Sequence, residues 1–141
     1  MKTKKIQEWI IETFDYSFKD QSLAENALTH RSFSSNNNER LEFLGDSALD
    51  LVISELLFEK YSDESEGNLS RMRASIVNKE SLSELAREIN LDQYLILGQG
   101  EIKSGGGDRS SILSNALEAI IGAIFILLYS KNSFEKFCAI E

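Results

Sequence analysis

Asn38-Glu39-Arg40-Leu41-Glu42-Phe43-Leu44-Gly45-Asp46-Ser47-Ala48-Leu49-Asp50-Leu51-Val52 carries the periodicity that decides the fold. With about 100° of rotation per residue and Leu41 set at zero, Leu41, Leu44, Ala48, Leu51 and Val52 fall within about 80° of that direction. A stripe of this kind is the core face of a helix. Glu39, Glu42, Asp46 and Asp50 fall at about 160°, 100°, 140° and 180°, one acidic strip along the other side. Like charges four residues apart repel by roughly a few tenths of a kcal/mol per pair, so helix stability alone gives no reason to align four. The strip is either a solvated face or a site that gathers carboxylates. Phe43, at about 200°, points into the polar half, as an isolated exposed aromatic or as an anchor for a partner subunit.

Helical spacing extends along nearly the whole chain, which has no proline, no low-complexity tract and no internal repeat, and predicts an all-α fold. Ile6, Trp9, Ile10 and Phe14 form a first stripe, and Leu23, Ala24, Ala27 and Leu28 a second. The polar run from Ser34 to Asn38 reads as a loop, with Asn38 the expected N-cap of a helix over residues 39–60. Further helices are predicted over residues 68–76, over 78–89 with Asn78 as N-cap, and over 111–129. An amphipathic segment begins at Ser133. Five of the eight glycines fall between Gly98 and Gly107, so residues 98–108 read as a flexible connection. That stretch matches neither dinucleotide nor P-loop spacing and follows no strand, which favours a mobile surface loop over a phosphate cradle.

A chain of 141 residues, 42% of them hydrophobic, is the size of one domain that folds without disulfides or a structural metal. Cys138 and His30 are its single cysteine and single histidine, which excludes an internal disulfide and a Cys/His zinc site. Ser-His-Asp and Cys-His catalysis have equally little support, and His30 reads as structural. The net charge of −8 argues against a generic nucleic-acid binder, although acidic clusters also hold divalent cations. The longest apolar run, residues 119–129, is shorter than the roughly 18–20 residues that cross a bilayer. Gln7, Glu8 and Glu12 interrupt what would be the apolar stretch of a signal peptide. The expectation is a cytoplasmic protein away from membranes.

In the predicted helix over 111–129, Ile112, Leu113, Ala116, Leu117, Ala119, Ile120, Ile121, Ala123, Ile124 and Phe125 surround the axis almost completely. Such a helix is buried. Only Ser114, Asn115, Glu118 and Gly122 fill the remaining sector, so Glu118 projects a carboxylate from an apolar helix. A buried ionised carboxylate is costly unless paired or bound to metal, and no Lys or Arg lies within a turn of it. The simplest arrangement sets Asn115 and Glu118 opposite Glu42 and Asp46, three carboxylates and one amide oxygen around a hard cation. Mg²⁺ or Mn²⁺ suits oxygen-only ligands, and such a site can polarise a phosphoryl oxygen and activate water.

The chain resembles the catalytic domain of bacterial ribonuclease III. Asn38-Glu39-Arg40-Leu41-Glu42-Phe43-Leu44-Gly45-Asp46 is similar to that family's signature motif. Leu28-Thr29-His30-Arg31-Ser32-Phe33, Glu66-Gly67-Asn68-Leu69-Ser70, Arg73-Ala74-Ser75-Ile76-Val77-Asn78, Leu97-Gly98-Gln99-Gly100-Glu101 and Glu118-Ala119-Ile120-Ile121-Gly122-Ala123-Ile124 follow in the family's order. The resemblance implies an all-helical homodimeric endoribonuclease that cleaves double-stranded RNA with Mg²⁺, leaving 5′-phosphates, each subunit cutting one strand. It implies Glu42, Asp46, Asn115 and Glu118 as the metal-binding positions, with Asp46 and Glu118 catalytic. Glu39 and Glu66 correspond to additional acidic residues near the subunit boundary, and Phe43 to the aromatic that inserts into the partner. Processing of ribosomal, messenger and transfer RNA precursors is the implied role.

Two departures bear on that expectation. Asn115 stands where the family pattern Asp-x-x-Glu has an aspartate, which removes one negative charge and lowers cation affinity. The family's C-terminal double-stranded-RNA-binding domain is not in this chain, which reads as a catalytic domain over 1–141. RNA contact then falls to the catalytic module, where Arg71, Arg73, Lys79, Lys103 and Arg109 are candidate phosphate contacts or solubility charges. The competing readings are a duplex-RNA-binding dimer that Asn115 leaves weak or inactive, and an acidic helical dimerisation module with no RNA role.

Overall fold

The computed structural model describes residues 2–129, and among them every regular element is helical. Helix α1 spans Lys2–Phe14, α2 Gln21–Leu28, α3 Glu39–Lys60, α4 Glu66–Ile76, α5 Lys79–Glu88, α6 Gln99–Lys103 and α7 Ser110–Tyr129. Short 3₁₀ turns at Leu91–Tyr94 and Gly106–Asp108 link the later helices. The all-α expectation is met. Cys138 and the segment from Ser133 lie outside the described residues.

The apolar spacing of α7 makes it the central helix. Leu113, Ala116, Ala119, Ile120 and Ala123 are fully buried, with α2, α3 and α5 packed around them. By length and composition Ser110–Tyr129 could cross a membrane, but half of its most apolar stretch is buried inside the fold, as in a core helix. Trp9 of α1 closes one end of the core, stacking on Tyr94 at 4.4 Å and donating Nε1 to the Ile89 carbonyl at 2.8 Å.

The predicted helices form with small shifts. α4 starts at Glu66, two residues early, because Ser65 caps it by accepting from Asn68 N. Asn78 caps α5 as expected, its Oδ1 accepting from Ser81 N at 2.9 Å. At the start of α3 the cap expectation is corrected. Asn38 has helical backbone angles and makes no side-chain cap bond. It is buried and donates to the Ala27 carbonyl at 3.2 Å, tying α3 to α2. Asn37 satisfies the helix end instead, its Oδ1 accepting from Glu39 N at 3.0 Å.

The core face assigned to α3 is also corrected. Leu41 and Ala48 are buried, but Leu51 is 56% and Val52 44% exposed. The next buried apolar residue, Leu57, lies about 160° around the helix from Leu41. The covered side of α3 therefore changes along its length, with α7 on one flank and α4 on another. Residues 98–108 are ordered into α6 and a 3₁₀ turn rather than a structureless connection. Their glycines serve close approach: a Cβ on Gly98 would meet the Ser32 carbonyl oxygen at 2.2 Å, and one on Gly106 the Glu101 side chain at 2.4 Å.

Candidate metal centre and active-site groove

Two glycines create the site. A Cβ on Gly45 of α3 would lie 1.7 Å from the Glu118 carbonyl oxygen, and one on Gly122 of α7 would lie 2.3 Å from that of Leu41. The helices thus cross backbone against backbone, with no side chain between them. The residues one turn away on each helix consequently face a shared space. Glu39, Glu42 and Asp46 of α3 and Asn115 and Glu118 of α7 line one cavity of about 720 Å³, with Phe43, His30 and Arg31 at its wall.

Every predicted metal-binding position thus lies on one cavity. Glu66 does not, since it opens α4 and lines a different groove with Leu51, Phe58 and Tyr129. Its carboxylate accepts from Ser70 Oγ at 2.7 Å.

The electrostatics of the groove are those of unneutralised like charge. Burial is the main cause that pushes the Glu118 carboxyl up to about 7, and Asp46, Glu42 and Asp50 add to it in that order. Glu42 is raised by burial and then by Glu39 and Asp46, with a small opposing pull from Arg31. Among the described residues no Lys or Arg forms an ion pair with Glu42, Asp46 or Glu118. Arg31 pairs with Glu39, at 3.6 Å. Asp50, last of the acidic strip, is drawn to Arg73 at 3.9 Å.

An oxygen-only donor set that repels itself has the chemistry to take up a hard divalent cation. As positioned, however, no three His, Cys, Asp or Glu side chains among the described residues converge closely enough to hold one. A cation would have to draw the carboxylates inward, and the open cavity leaves them room to turn.

Of the basic residues singled out in the sequence, Arg73 is engaged by Asp50 and Ser54, Arg71 by Asn68, and Lys79 by Glu80. Arg109 lines a second cavity beside the first, and its Nη1 pairs with Glu101 at 2.7 Å. His30 was missed as a groove residue. It lines both cavities, and nothing in its own spacing distinguishes that from a structural role.

Fold and cavity together define a helical domain with an acidic groove built across one glycine–glycine helix crossing. The sequence profile of the ribonuclease-III-like family matches residues 20–138, and the chain belongs to that family. Ribonuclease 3 of Shewanella sediminis (strain HAW-EB3) is 56% identical over 117 residues, which are 83% of this chain and 52% of that protein. Ribonuclease 3 of Pseudomonas fluorescens (strain Pf-5) is 60% identical over 111 residues, 79% of this chain and 48% of that protein. The chain therefore spans about half the length of these relatives.

Among solved structures, the nuclease domain of ribonuclease III from Campylobacter jejuni superposes with a TM-score of 0.83 at 47% identity, covering 94% of this chain and 92% of that one. That structure concerns flexibility in the region involved in dimer formation. Dicer from Pichia stipitis gives a TM-score of 0.62 at 28% identity, covering 86% of this chain and 53% of that one.

Proposed function

We propose that this chain is a nuclease domain that hydrolyses the phosphodiesters of double-stranded RNA with Mg²⁺. The observation that carries the reading is the placement of Glu42, Asp46, Asn115 and Glu118 along the wall of one cavity, with the Glu118 carboxyl pushed up to about 7 by burial and by its acidic neighbours. Those four residues would hold Mg²⁺, or Mn²⁺ in its place, and the ion would polarise a phosphoryl oxygen and lower the pKa of a bound water. Asp46 and Glu118 line the same cavity from the two crossing helices and are the catalytic pair of the proposal. Glu39 keeps Arg31 at the cavity edge, where a guanidinium suits the phosphate backbone.

The proposal includes a homodimer. Phe43 is 79% exposed beside the acidic strip, and Leu51, Leu56 and Phe58 of the same helix are also exposed. Phe43, Leu51 and Phe58 fall on one side of α3, and a second copy would cover that side. Cytoplasmic processing of ribosomal, messenger and transfer RNA precursors extends the same reading. Asn115 favours one alternative, a dimer that holds duplex RNA with little or no cleavage, because an amide supplies an oxygen ligand without its charge.

Cleavage of a labelled RNA duplex at low salt with Mg²⁺, by this chain and by Asn115→Asp, tests the proposal. Cutting by both, faster by the variant, is the expected result. Cutting by the variant alone favours the binding dimer, and duplex that neither protein binds nor cuts overturns both readings.

A further inference from the structure

The basic end of the groove is held in a fixed arrangement. Ser32 N–H donates to His30 Nδ1 at 3.2 Å, so Nδ1 is an acceptor. Ser32 Oγ lies 2.8 Å from the same nitrogen and accepts from Gly98 N–H at 2.9 Å. With Nδ1 accepting from Ser32 N–H, the ring proton belongs on Nε2. The approach of Gly98 to Ser32, too close for a Cβ, locks this arrangement to the start of α6. Among the described residues Nε2 has no hydrogen-bond partner, and it is not among the buried unsatisfied atoms. His30 lines the acidic cavity and the adjoining one of about 460 Å³, which also takes in Arg31, Arg109 and Glu101. Arg109 is itself fixed, by Glu101 Oε1 at 2.7 Å and by Ser104 Oγ at 3.1 Å.

We propose that His30 is a phosphate-positioning residue: its Nε2–H, aimed by Ser32 and Gly98, donates to a backbone phosphate next to the one cleaved, with Arg31 and Arg109 supplying the charge. A pocket with two guanidinium groups, Arg31 paired with Glu39 and Arg109 with Glu101, beside a strongly acidic one still offers N–H donors to a polyanion that must be held at one phosphate while another is attacked. Phosphate contacts of this kind set register and orientation without reading sequence. The inference rests on the nuclease reading and adds to it how the strand is placed.

The test is binding of an RNA duplex by this chain in EDTA across a salt series, followed by cleavage in Mg²⁺. His30→Ala is expected to raise Kd about three- to tenfold with the salt slope unchanged, because a neutral donor releases no counterion. Arg31→Gln is expected to flatten the slope by about one. Nitrogen chemical shifts of the His30 ring in the unmutated chain give a second measurement. They are expected to show Nε2 protonated and Nδ1 bare, with Nε2 shifting on duplex addition.

A protonated Nδ1, or a His30→Ala variant that binds within twofold of the unmutated chain, overturns the inference and leaves the nuclease reading standing. If the unmutated chain neither binds nor cuts, the nuclease reading itself falls.

Discussion

Replacing Glu118 by Gln tests the charge balance of the groove directly. The Glu118 carboxyl titrates near 7 against 4.5 for an ordinary glutamate. Between those values the folded protein holds a proton that the unfolded chain has released, so stability falls as pH rises from about 4.5 to about 7. A tenfold change in an acid's ionisation constant corresponds to about 1.36 kcal/mol, but the group is only half-buried and screened by water, so the loss above pH 7 is roughly 1–2 kcal/mol. Glu118→Gln removes the titration. Without divalent cations at pH 8, the variant should therefore be more stable by roughly 1–2 kcal/mol, about 3–8 °C in the midpoint of thermal unfolding.

Mg²⁺ should reverse the order. An ion that binds only the folded state adds about 2.7 kcal/mol at a hundredfold excess over its Kd, and the variant loses a charged ligand and with it much of that gain. The assay is thermal unfolding by circular dichroism at pH 5, 6, 7 and 8, with EDTA and then with Mg²⁺. A variant less stable than the unmutated protein at pH 8 in EDTA would refute the electrostatic account. An equal Mg²⁺ response in both proteins would refute the metal assignment and favour an acidic helical module with no nuclease role.

Three further outcomes follow from the packing. Gly122→Ala drives a methyl to 2.3 Å from the Leu41 carbonyl, and should cost about 2–3 kcal/mol in urea unfolding; an unchanged midpoint would show that the helices part easily. Phe43→Ala should weaken self-association at least about tenfold in sedimentation equilibrium at micromolar concentration without lowering the monomer's helicity, and an unchanged dimer would remove the anchor role. Asn37→Ala should cost about 1 kcal/mol through the lost cap, and Asn38→Ala about 1–3 kcal/mol because the Ala27 carbonyl loses its donor; equal stability of either variant to the unmutated chain would contradict its assigned bond.

The helices and the acidic residues were legible because both depend on local spacing. The strip from Glu39 to Asp50 and the polar sector holding Asn115 and Glu118 follow from rotation per residue, and the structure sets most of these residues on one cavity. What a wheel cannot contain is how far along a helix each neighbour reaches. Val52 sits within the apolar stripe of α3 and is nevertheless exposed, whereas Leu57 lies on the far side and is buried. Asn37 and Asn38 exchange roles for a related reason: either amide can cap, and the choice goes to Asn37 because Asn38 is needed 11 positions back at Ala27. His30 was hidden because its position depends on Gly98, 66 residues on from Ser32 in sequence.

The least expected contributors to the site are the two residues without side chains. Four acidic groups on α3 and one on α7 would be a solvated face and a buried liability if the helices stood at ordinary separation, about 8–10 Å. At Gly45 and Gly122 the backbones themselves touch, which draws Asp46 and Glu118 towards each other without any group of their own to hold them there. Core packing elsewhere on α7, from Leu113 to Ala123, supplies the energy that keeps two repelling carboxylates together. The groove is therefore a place where the fold spends stability on charge. A substitution at either glycine should abolish cleavage while every carboxylate remains in the chain, because what is lost is the distance between Asp46 and Glu118 and not their chemistry.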